Sequence, residues 1–334
     1  MDELRRSVDR LAMESGFSGV VRVDRGREME LLAAYGLGHR GFEVPNEPET
    51  RFGIASGTKG FTALTVMSLI DSGILALGTA ARSLLGDDLP LIDEDVTVQH
   101  LLSHRSGIGD YFDEELERSI DDYVLNVPVH ELVTTEDYLR VLDGYPAKFR
   151  PGERFSYCNG GYVVLALIAE RAAGVPFHRL VEERVCTPAG MSDTWFLRSD
   201  ELPGSTAVGY LSEEGLRSNV FHLAVRGSGD GGLYSTAADI ASLWTSIFDG
   251  RIVPAGLVAE MLRPHSDLPE RPARYGLGFW LHPTGPIAEL HGYDAGASFR
   301  SVHDPSTGLS HTVLANTSDG AWPITEHLDD AIIR

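Results

Sequence analysis

Strand-forming patterns occupy only the two ends of this 334-residue chain, and that segregation limits the folds open to it. Residues 19–24 and 29–35 alternate apolar and polar positions around the Arg25-Gly26 turn, which reads as a β-hairpin. Short strand-like runs return at 276–281, 297–303 and 310–315. From about 77 to 204 the pattern is mainly helical, with helices expected over 98–103, 135–142, 161–173 and 176–185, each punctuated by Pro or Gly. Further helices are expected over 236–248 and about 322–333, and there is no internal repeat. The layout is α/β at both ends with a helical insert between them, so a mixed sheet has to be assembled from residues far apart in sequence.

A net charge of −21 argues against nucleic acid or an anionic membrane surface as a partner, because either needs a cationic face. The acidity is spread along the chain and reads as a solvated surface. The first sixteen residues are amphipathic and charged, without the apolar stretch of a signal peptide, and no segment approaches eighteen uninterrupted apolar residues. Cys158 and Cys186 have no metal-type spacing and are expected to be free thiols. The expected location is cytoplasmic.

Of the 28 basic residues only Lys59 and Lys148 are lysines; the rest are arginines. A position that merely needs positive charge has gone to Arg almost everywhere, so Lys59 has a task that Arg cannot perform. Guanidinium keeps its proton, whereas a desolvated ammonium can release one and act as a base. Ser56, three residues earlier, shares a helix face with Lys59 if the apolar run 61–70 is the buried helix it resembles. Ser56 then lies at the helix N-terminus, where free N–H groups stabilise negative charge. This is the local chemistry of an activated serine nucleophile, although Ser-x-x-Lys alone is a weak pattern and also fits an N-cap serine followed by a surface lysine.

Three other patterns lead nowhere. Gly36-Leu37-Gly38-His39-Arg40-Gly41 spells a dinucleotide fingerprint, but no helix follows it. His100 and His104 have zinc-like spacing on an expected helix without a third ligand. No Gly-x-Ser-x-Gly elbow occurs, which disfavours an α/β-hydrolase. No metal and no cofactor is expected.

Five blocks in order carry a resemblance: 52–59 (FGIASGTK), 101–107 (LLSHRSG), 151–159 (PGERFSYCN) with Gly161-Tyr162, 190–194 (GMSDT) and 231–239 (GGLYSTAAD). Together they resemble the serine β-lactamase-like superfamily of class C β-lactamases, DD-carboxypeptidases, D-aminopeptidases and intracellular esterases, from about residue 18 to 320. The resemblance implies an antiparallel sheet flanked by the terminal helices, from residues 1–76 and 231–334, with an all-helical insert at 77–230. It also implies catalysis by Ser56, Lys59 and Tyr157, with Tyr157 relaying the serine proton once Lys59 has lowered its pKa. Asn159 would orient Lys59 and the substrate carbonyl while serving as N-cap of the helix at 161–173. The third family motif, Lys/His-x-Gly, falls at His291-Gly292-Tyr293, although Tyr293 stands where Gly is usual. The substrate-binding set is then Asn159, His291, Gly292, Tyr293, Asp294 and Ala295, with Ser56 N–H and a strand N–H near Asp294–Ala295 forming the oxyanion hole.

The implied activity is an intracellular esterase or amidase that forms an acyl-enzyme with a small ester, amide or peptide. The alternatives are a D-Ala-D-Ala carboxypeptidase or β-lactamase, a biosynthetic acyltransferase, and a non-catalytic binding homologue. An imidazole at 291 offers no permanent cation, so simple esters are expected to outrun peptides ending in a carboxylate unless Arg300, the nearest cation in sequence, compensates. The oligomeric state is left open.

Overall fold

The structure is a computed structural model that describes residues 2–115, 119–268 and 273–333. Its centre is an eight-stranded antiparallel sheet: β1 (Gly19–Arg25), β2 (Glu28–Tyr35), β3 (Ser266–Leu268), β4 (Ala273–Tyr275), β5 (Trp280–Leu281), β6 (Ala288–Asp294), β7 (Ala297–Asp304) and β8 (Leu309–Ala315), in the order β2-β1-β8-β7-β6-β5-β4-β3. The join between the two ends of the chain is the β1–β8 pair, with Val21 opposite Val313.

Alternation along these strands sends neighbouring residues to opposite faces. Val21, Val23 and Val313 pack with Val8 and Ala12 of α1 (Asp2–Glu14) and with Ile324 and Leu328 near the C-terminus. Val20, Leu314 and Phe299 instead join the larger core on the other face. That core is built around α2 (Thr58–Asp71), whose residues from Thr58 to Leu69 are all buried. A helix apolar on every side belongs inside the molecule, and α2 is enclosed by the sheet, by α3 (Asn159–Ala173) and by α4 (Ala237–Phe248). α5 (Ala321–Leu328) lies beside α1 and closes the outer layer.

Glycines set the contact between α2 and the sheet. A Cβ on Gly57 would lie 2.5 Å from the Phe299 ring, and one on Gly60 would lie 2.4 Å from Leu290 Cδ2. A separate ribbon pairs Phe52–Gly53 with Tyr234–Ser235 and so brings the Ser56 turn beside the glycine-rich loop at 227–232.

Several expected elements change. The apolar pattern does not mark β6 as a strand because Glu289, His291, Gly292 and Asp294 interrupt it, and only the resemblance implied a strand near Asp294–Ala295; Glu289, His291 and Asp294 are held by ion pairs or hydrogen bonds described below. The expected strand 276–281 shrinks to Trp280–Leu281. The expected helix 176–185 is α-helical only over Phe177–Val181, followed by a π-helical turn at Glu182–Cys186. The helix bearing His100 stops at Leu102, and His104 beyond it has φ 54°, so the two histidines do not share a helix face. The fingerprint-like glycines run into a single 3-10 turn, Arg40–Phe42. Among the described residues no single helix is long and apolar enough to cross a membrane.

Candidate active site

Ser56 sits in a 3-10 turn, Ala55–Gly57, that runs directly into α2. Ala55 has φ 45°, a left-handed conformation that a residue with a Cβ adopts only under constraint. The constraint is visible: Ile54 N–H donates to the Leu233 carbonyl at 2.9 Å, and Gly57 N–H to the Ile54 carbonyl at 2.8 Å.

Lys59 lies one helical turn after Ser56 and is 2% exposed. Its Nζ is 2.9 Å from Ser56 Oγ, 2.8 Å from Asn159 Oδ1 and 2.8 Å from the Asp230 carbonyl oxygen. The last two partners only accept, so each takes an N–H. The contact with Ser56 runs either way: from Nζ–H to Oγ in the ammonium, or from Oγ–H to the lone pair of the amine. Tyr157 shares a hydrogen bond with the Ser56 side chain, and its ring centroid is 4.9 Å from Nζ.

The expected lowering of the Tyr157 pKa is not met. Burial comes first, helped by the Glu114 charge, and pushes the phenol well above 10 against the Ser56 hydrogen bond. Tyr157 is therefore protonated at rest. Asn159 also departs from expectation. Cys158 is the N-cap of α3, its Sγ accepting Gly161 N–H at 3.3 Å, and Asn159 takes the first helical position with its amide left for Lys59.

Sequence reasoning missed three supports. Asp110 accepts Asn159 N–H at 2.6 Å and Gly160 N–H at 2.9 Å, so it caps α3 and fixes the Asn159 backbone. Burial outweighs those donors and lifts its pKa to about 6. His104, 1% exposed, accepts Cys158 N–H at Nδ1 (3.1 Å) and stacks within 4.3 Å of the Tyr157 ring. Burial, then the Lys59 charge, holds its pKa well below 6.5, so the imidazole is neutral. Asp230 supplies the carbonyl that anchors Lys59. Each acts across 49 or more positions of sequence, and no local pattern marks it.

The third motif requires correction. A Cβ on Gly292 would lie 2.0 Å from the Ile54 carbonyl oxygen, so Gly292 is the residue whose lack of a side chain lets β6 approach the nucleophile turn. The triplet ending there is Leu290-His291-Gly292. Its first place holds Leu290, 2% exposed and turned towards Gly60. By strand alternation His291 points to the opposite face, where Nε2 lies 2.6 Å from Glu289 Oε2 and its ring stacks on Trp280. Arg300 is on that face too, paired with Glu289 at 2.9 Å and with Asp329. Neither His291 nor Arg300 lines the cleft, whereas Tyr293 and Asp294 do. Ala295 N–H donates to Asp294 Oδ1 at 2.9 Å, which removes it as an oxyanion donor.

The cleft over Ser56 encloses about 710 Å³ including its mouth. Tyr111, Phe112, Tyr123 and Tyr138 form an aromatic wall, and Glu114, Asp230 and Asp294 contribute carboxylates. Among the described residues no three His, Cys, Asp or Glu side chains gather as a metal site.

The fold has counterparts among known proteins. The penicillin binding protein from Bacillus halodurans superposes with a TM-score of 0.91 at 34% identity, covering 97% of this chain and 100% of that one. The putative penicillin-binding protein PbpX of Bacillus subtilis (strain 168) is 25% identical over 81% of this chain and 63% of its own length. The D-aminopeptidase of Brucella anthropi is 28% identical over 81% of this chain and 50% of its own. The chain spans 40% to 63% of the length of the first curated relatives it matches. The family model described as Beta-lactamase matches residues 4–331, almost end to end, and the chain belongs to that family.

Proposed function

We propose that the protein is a serine hydrolase that cleaves small esters or amides through an acyl-enzyme at Ser56. The observation that carries this reading is the buried Lys59 Nζ, 2.9 Å from Ser56 Oγ and oriented by two obligate acceptors. As Oγ attacks the substrate carbonyl, its proton passes to Lys59 in the amine form. The C–X bond then breaks, protonated Tyr157 gives its proton to the leaving group, and Lys59 returns one to the phenolate. Water repeats the sequence in reverse roles and frees the acid. Ser56 N–H is one oxyanion donor. β6 is paired to β5 only through Ala288 and Glu289, so its later residues up to Asp294 keep an unpaired edge for the second.

Penicillin-binding and D-aminopeptidase relatives support acyl transfer from an amide. The substrate of a carboxypeptidase ends in a carboxylate, and a cleft lined by three carboxylates disfavours it. We place the enzyme in a reducing, cytoplasmic setting, a reading supported by Cys158 and Cys186, both free and buried.

Incubation with a fluorophosphonate should add one adduct per chain by intact mass, on Ser56. Ser56→Ala should lose the adduct and at least about 10³-fold in p-nitrophenyl butyrate turnover. An adduct retained in that variant would sink the nucleophile assignment.

A further inference from the structure

The charges facing the catalytic cleft do not balance. Glu114, Asp230 and Asp294 all line it, and His222 is the one basic side chain on its wall among the described residues. The Lys59 ammonium reaches the base of the cleft but is committed to Ser56, Asn159 and the Asp230 main chain. Among the described residues, none of the three carboxylates has an arginine or lysine side chain in an ion pair. The Asp230 carboxylate is held by the Tyr111 hydroxyl, Glu114 by Asn159 Nδ2 at 3.3 Å, and Asp294 Oδ1 by its neighbour's N–H. Leu290 holds the first place of the triplet that ends at Gly292, and His291, where the basic residue was expected, points to the other face, so the strand edge adds no cation either.

A half-buried carboxylate such as Asp230 or Asp294 without a counter-charge carries a cost, and one way to relieve it is a cation brought by the ligand. The walls suit such a ligand. Tyr111, Phe112, Tyr123 and Tyr138 supply aromatic rings, which attract organic cations, and Ile120 and Leu125 supply apolar surface for the attached methylenes. We propose that the substrate carries a positive charge, an organic ammonium a few bonds from the scissile carbonyl, and that Asp294 with Asp230 selects for it. The inference rests on the hydrolase reading above and goes beyond it by naming the substrate's charge.

Asp294 is the more responsive member of the pair. Burial first, then repulsion from Asp230 and Glu114, outweigh the Ala295 N–H and the Lys59 charge and lift its pKa to about 7. Tyr138 and Tyr293, the other titratable groups against it, are both pushed upward and stay neutral. Below pH 7 Asp294 is therefore largely protonated and attracts a cation weakly; above it the carboxylate ionises and attraction strengthens. The selectivity for a cation should rise from pH 6 to pH 8.

Two isosteric series test this at pH 8. In the first, p-nitrophenyl esters of 4-(trimethylammonio)butanoic acid, 5,5-dimethylhexanoic acid and glutaric acid place a cation, a neutral group or an anion on the acyl side. In the second, acetylcholine and 3,3-dimethylbutyl acetate place a cation or its neutral isostere on the leaving group. The expected result is kcat/KM at least tenfold higher for the cation than for its neutral isostere in one series, with the ratio falling at least fivefold in Asp294→Asn. The ratio's rise between pH 6 and pH 8 should vanish in that variant, which assigns the pH dependence to Asp294. A ratio below ten in both series, or a preference for the glutarate ester, overturns the proposal. Choline should also slow fluorophosphonate labelling of the wild type more than the same concentration of its neutral isostere 3,3-dimethylbutanol. Equal slowing overturns the proposal as well. That arm needs no turnover, so it distinguishes loss of the cation preference from failure of the hydrolase reading.

Discussion

β6 carries acidic side chains towards both faces of the sheet, and the two faces treat them in opposite ways. On the outer face Glu289 meets His291 at 2.6 Å and Arg300 at 2.9 Å, and Arg300 also pairs with Asp329, which meets His311 at 2.9 Å. Burial would raise the Glu289 pKa, but the His291 hydrogen bond and the Arg300 charge win and hold it at about 2. On the cleft face Asp294, five positions along, has no such partner among the described residues and sits at about 7. The same carboxylate chemistry is neutralised where it only has to be buried and left unbalanced beside the nucleophile. Structural charge is closed by the protein itself, whereas functional charge is left for a ligand to close.

The largest effect is expected at the nucleophile. Lys59→Arg keeps a charge next to Ser56 but cannot release a proton, and its planar fork cannot meet three acceptors arranged around one nitrogen. Activity should fall about 10²-fold or more, approaching Lys59→Ala, in a p-nitrophenyl ester assay. If Lys59→Arg keeps above about a tenth of the activity, a loss below ~1.4 kcal/mol of transition-state stabilisation, Lys59 serves only as a fixed charge.

Next come two amide-for-carboxylate exchanges, whose signs should differ. Glu289→Gln leaves the half-buried Arg300 with Asp329 as its one carboxylate partner among the described residues and should cost about 2–3 kcal/mol of stability, read from the urea midpoint. Asp294→Asn removes an unbalanced buried charge while its Oδ1 can still accept Ala295 N–H, and should gain about 1–3 kcal/mol at pH 8. The pH dependence follows from the direction of each shift. The folded pKa of Glu289 lies below its unfolded value, so its contribution is present above about pH 4.5 and is lost as pH falls towards 2. The folded pKa of Asp294 lies above its unfolded value, so its penalty is absent below about pH 3.8 and grows as pH rises through 7. The advantage of Asp294→Asn should therefore disappear by pH 4, while the deficit of Glu289→Gln shrinks only under stronger acid. Equal signs at pH 8 would break the contrast between the two faces.

The contrast also marks what the sequence could reveal. Ser56 and Lys59 were legible because three residues make most of one helical turn, and the hairpin 19–35 because alternation and a turn signal are local. Tyr157 was legible only through its block, and its raised pKa was not, since burial is a property of the assembled site. The register of the third motif was misread because its deciding contact is tertiary: Gly292 is identified by the Ile54 carbonyl oxygen, 238 positions away. Once Gly292 is fixed, alternation alone turns His291 and Arg300 to the outer face. Asp110, His104 and Asp230 lie outside local reach for the same reason.

The smallest effect should come from Tyr111→Phe. The Tyr111 hydroxyl is a side-chain donor to the Asp230 carboxylate, which otherwise relies on its own N–H and that of Gly231. Burial raises the Asp230 pKa against the Lys59 charge and the Tyr111 hydrogen bond, so removing the hydroxyl should raise it further. The ring remains to fill the wall, so the loss is one hydrogen bond to a charged acceptor, about 1.5 kcal/mol at pH 8. Protonation of Asp230 relieves that loss, and the deficit should therefore be smaller at pH 5 than at pH 8 in urea denaturation. A deficit of 3 kcal/mol or more would mean that Tyr111 stands in for a counter-ion. Asp230 would then be closed by the protein, as Glu289 is, and Asp294 alone would remain open on the cleft face.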